Sequence, residues 1–210
     1  EALRRAEGAA LEARPDLRVQ VELRFGAVVP ALREALAGGR LLALGSRGLG
    51  EEWAWFLGTS SGELAATAPC PVLLAGRWAQ PAPRPEGPRV VVAALGGTGT
   101  DEAVLAAASA WALRGDAQLH VLHSRPQRSG RPFLVDVPHP RAGLVTTVSR
   151  KPPVEAVLTA AAEADLLVMG TSGRAALTGL APEPVAVPVL ASAPCPVLVV
   201  PPAAAGACAR

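Results

Sequence analysis

Aromatic side chains make up only 3% of the 210 residues, so a folded core has to be aliphatic. The hydrophobic fraction of 50%, rich in Ala, Val and Leu, is ample for one. A concentrated charge of either sign is also missing. The net charge is +2 and no basic cluster occurs, which excludes the basic face that nucleic-acid binding requires. Cysteine is scarce, with Cys70, Cys195 and Cys208, and no CxxC or Cys/His spacing suits zinc. His120 and His123 are three apart on an expected strand and face opposite sides, and His139 stands alone in a Pro-rich stretch, so no metal site is expected. Residues 184–209 carry no charge, yet Pro184, Pro188, Pro194, Pro196, Pro201 and Pro202 exclude a lipid-exposed helix there. No charged n-region with an apolar stretch and cleavage site follows Glu1. The expectation is a soluble cytoplasmic chain without membrane or nucleic-acid partners. A nucleophile set beside His and carboxylate, or a carboxylate pair at a fixed spacing, is lacking too, so the chain does not read as an enzyme.

What is present is a repetition. "APCPVL" occurs at 68–73 and again at 193–198, an offset of 125 residues. At the same offset "RLLALGSRG" (40–48) lies over "DLLVMGTSG" (165–173), and "RVQVELRF" (18–25) over "GLVTTVSR" (143–150). Register held without a gap over such a length points to a tandem duplication. Cys70 and Cys195 are equivalents flanked by Pro, and read as small buried hydrophobes under a bend.

Periodicity gives a helix over 1–13, a strand over 18–25 from the alternation of Val19, Val21 and Leu23, and a helix over 29–37 closed by Gly38-Gly39. A strand at 41–45, a short helix near 60–68 and a strand at 71–75 follow. Residues 77–87 form a Pro-rich linker. Copy two then opens with a strand at 89–95, a helix at 100–115 with Thr100 as N-cap and Gly115 past its end, and a strand at 117–124. A Pro- and Arg-rich stretch at 125–142 precedes the repeat of copy one's path. Alternating helices and apolar strands imply an α/β fold with parallel strands covered by helices on both faces. Copy one lacks a strand–helix–strand start. The expected organisation is therefore the back half of a domain in 1–76, the linker 77–87, a whole but reduced domain in 88–201, and a tail, 202–210.

Chemistry concentrates after the strand 41–45. Gly45, Gly48 and Gly58-Thr59 follow the spacing G-x2-G-x9-G-[ST]. Bare backbone after a parallel strand lets amides approach an anion, and a helix start at Thr59 adds free N–H groups and a positive dipole end. Arg47 is placed to meet a phosphate; Ser60 adds a hydroxyl and, with Glu63, has the spacing of a capping box. The carboxyl end of a parallel strand is where open α/β sheets bind ligands.

The passage from Leu41 to Ala75, with GSRG, GTSS and APCPVL, resembles the universal stress protein family. The resemblance implies a five-stranded parallel sheet with helices on both faces, of the adenine nucleotide alpha hydrolase-like kind, here in two tandem copies. It implies ATP as ligand through Gly45, Arg47, Gly48, Gly58, Thr59 and Ser60, together with an Asp at the end of the first strand. It also implies pairing across a dimer axis through the final strands. Copy two departs from the pattern. Glu183-Pro184 replace Gly-Thr, Leu95 stands at the Asp position, and Pro188 is expected to interrupt the short helix. ATP is thus expected in copy one only, and only if its first strands are supplied. The apolar strands 72–75 and 197–200 are expected to pair with each other as a pseudo-dimer, with a homodimer as the alternative. Beside a stress-response binding module stand two other readings: a partner protein without nucleotide, and a nucleotide hydrolase using Glu51 and Glu52.

Overall fold

The computed structural model describes residues 1–36, 38–45, 59–75, 87–97, 99–124, 143–172 and 185–204, with Thr59 described through its backbone alone. Helix α1 spans Ala2–Ala13 and α2 spans Val28–Ala35; strand β1 (Leu42–Gly45), α3 (Thr59–Thr67) and β2 (Val72–Ala75) complete copy one. Copy two contributes β3 (Val90–Leu95), α4 (Asp101–Gly115), β4 (Gln118–Ser124), β5 (Leu144–Ser149), α5 (Pro153–Ala161), β6 (Leu166–Gly170), α6 (Ala186–Ser192) and β7 (Val197–Val200). The equivalents keep the 125-residue offset: β1 lies over β6, α3 ends where α6 ends, and β2 lies over β7.

The seven strands of the described residues form one sheet in the order β1-β2-β7-β6-β3-β4-β5. Its β7-β6-β3-β4-β5 part is a five-stranded parallel α/β sheet. Copy one adds two strands, parallel to each other, so the described sheet has seven strands rather than five. Among the described strands the antiparallel joint is β2–β7, where Leu73 faces Leu198, its own repeat equivalent, and Val72 and Leu74 face Val199 and Val197.

Strand β3 (VVVAAL) is buried at every position, as an unbroken apolar run in the middle of a doubly covered sheet should be. One face packs against α2, α3, α5 and α6 through Leu64, Ala65, Val157, Val189 and the strand residues Val72, Val92, Leu167 and Val199. The other packs against α4 through Val104 and Ala108, with Val91, Val168, Leu198 and Val200. Cys70 and Cys195 are buried at equivalent bends before β2 and β7.

Three expectations need correction. Residues 18–25 form no strand. Their equivalent, β5, is a strand because it pairs with β4, whereas no described strand pairs with residues 18–25. Alternation alone does not make a strand without a neighbour to bond. Pro188 does not interrupt the helix: α6 forms over seven residues where α3 has nine, with Pro188 in its first turn, where a missing N–H costs no helical bond. The left-handed residue closing α4 is Asp116 (φ 48°), with Gly115 still inside the helix.

Candidate functional site

In copy two the strand order reverses between β3 and β6, which makes the carboxyl ends of these strands the natural ligand crevice. The chain turns there at Gly96-Gly97, with Gly97 at φ +73°, a conformation that disfavours a side chain. Such a turn aims amides at an anion, and the anion it receives is internal. The Asp101 carboxylate accepts the N–H of Gly96 at 3.2 Å and of Gly97 at 2.8 Å. Sequence reasoning missed this role; an Asp four residues after a Gly-Gly turn is the signal that could have found it.

Thr100 stands at the N-cap position of α4 but makes no side-chain cap hydrogen bond. Its side chain is buried and fills the space in front of Gly170 at the end of β6. A Cβ on Gly170 would collide with the Thr100 hydroxyl and lie 3.0 Å from its Cβ and 3.3 Å from Val104 Cγ2. Thr171 and His123 are buried as well, with His123 Nδ1 at 3.1 Å from the Leu95 carbonyl oxygen. Leu95, at the position where the family resemblance implies Asp, is 4% exposed. The crevice is thus occupied by the chain's own threonine and carboxylate. Glu183 and Pro184 lie outside the described residues.

Copy one presents the same backbone positions in another setting. Gly45 is exposed at the end of β1, and no described residue comes within 4 Å of where its Cβ would be. Helix α3 starts at Thr59, and a helix returning between two parallel strands begins at their carboxyl ends, so Gly45 and the start of α3 share one end of the sheet. Ser60 is half-buried inside the first turn of α3 and not at its N-cap, so it does not build the expected capping box. Arg47, Gly48 and Gly58, with Glu51 and Glu52, lie outside the described residues. Strand β1 ends the sheet: among the described residues it pairs with β2 alone.

Elsewhere in copy one, a groove of about 330 Å³ runs between residues 22–27 and α2, lined by Glu22, Arg24, Phe25, Pro30 and Glu34. Arg24 bridges Glu22 at 2.8 Å and Glu34 at 3.3 Å, so its charges are already matched. Among the described residues no group of His, Cys, Asp and Glu is placed to hold a metal ion. No described helix is long and apolar enough to cross a membrane.

Residues 137–201 match the family model described as the universal stress protein family. No curated protein matches the chain. Two solved structures are similar over nearly its whole length. One is a protein of unknown function from Pseudomonas aeruginosa PAO1, at 19% identity and a TM-score of 0.64, covering 99% of this chain and 80% of that one. The other is a universal stress protein from Archaeoglobus fulgidus DSM 4304, at 18% identity and a TM-score of 0.67, covering 94% and 76%. At these identities the likeness is one of fold.

Proposed function

We propose that the chain acts as a cytoplasmic binding module of the universal stress protein type, with one nucleotide half-site, in copy one, and none in copy two. It is not an enzyme in this reading. The observation that carries it is the contrast at the two equivalent glycines: Gly170 is closed off by Thr100, with Asp101 on the neighbouring amides, whereas Gly45 is exposed and has no described residue within 4 Å of where its Cβ would be. ATP would place its phosphates on the amides of Gly48 and Thr59, with Arg47 and Ser60 as further contacts and Gly45 and Gly58 leaving the backbone bare. The adenine side needs a strand next to β1, so ATP is held weakly until one is supplied. The two copies act as a pseudo-dimer: β2 and β7 meet as two protomers would, and one chain supplies both sides of the joint.

Calorimetric titration of the full chain with ATP tests the half-site. Gly58→Glu imitates copy two and should weaken binding at least about tenfold, equal to about 1.4 kcal/mol. Unchanged affinity in that variant would overturn the assignment. If the unmodified chain gives no heat with ATP, the nucleotide reading falls. The reading as a partner protein then stands, favoured by the apolar side chains that copy one exposes, among them Phe25 (90%) and Leu23 (67%).

A further inference from the structure

We draw no further inference here: the strongest candidate, the Gly96-Gly97 turn between β3 and α4 with the buried His123 beside it, already holds the Asp101 carboxylate on its amides and belongs to the crevice already described.

Discussion

Gly45 and Gly170 occupy the same place in two copies of one pattern, yet no described residue stands before the one and Thr100 fills the place of a Cβ on the other. Likewise β1 ends the sheet while β6 lies inside it. The difference does not come from the glycines or from the strands they end. It comes from the β3–α4–β4 unit, which packs beside β6 and, among the described residues, has no equivalent beside β1. That unit brings Thr100 against β6 and Asp101 onto the Gly96 and Gly97 amides. A ligand-binding pattern in a sequence is therefore a statement about backbone shape; whether the shape is vacant depends on what packs in front of it.

The contrast can be broken hardest at the joint between the copies. Leu198 is 1% exposed in the core against α4, whereas its partner Leu73 is half-buried at the fringe of the same cluster. Leu198→Lys should cost more than about 4 kcal/mol in urea unfolding, since an unpaired ammonium is forced into an apolar core. Leu73→Lys should cost about half of that or less, because its head can reach water. Equal losses would mean that the copies contribute alike to the core, against the asymmetry described here.

A smaller pair of substitutions sharpens the comparison at the glycines. Gly170→Ala puts a methyl into the Thr100 hydroxyl and should destabilise by about 1–3 kcal/mol. Gly45→Ala meets no described residue and should stay within about 0.5 kcal/mol of the parent. Unfolding curves that shift together would show that the crevice of copy two is not closed by Thr100.

Much of the fold is legible in the sequence because the repeat carries its own register. The 125-residue offset places β1 over β6 and β2 over β7, and apolar runs such as VVVAAL mark buried strands. Residues 18–25 mislead because alternation records an amphipathic surface, while a strand also needs a hydrogen-bonding neighbour. Pro188 misleads because its effect depends on position in the helix, and the first turn tolerates it. At the site, Leu95 and the glycine spacing are visible in the sequence. Two interactions are not: Thr100 looks like a cap and Asp101 like a first-turn acid, yet one fills space before Gly170 and the other binds a turn behind it. The packing of Thr100 depends on β3 and β6 being neighbours in the sheet, although they are distant in the chain.

At the centre of the molecule one chain supplies both sides of the β2–β7 joint, with Leu73 opposite Leu198 on the pseudo-two-fold axis. Residues directly opposite in an antiparallel pair have Cα atoms roughly 4.5–5.5 Å apart, within reach of a disulfide. Leu73→Cys and Leu198→Cys, combined in a chain whose Cys70, Cys195 and Cys208 are replaced by Ala, allow a direct measurement. After mild oxidation at high dilution, non-reducing electrophoresis and mass spectrometry should show a monomer with one internal disulfide. Crosslinks that form only between chains would contradict the account.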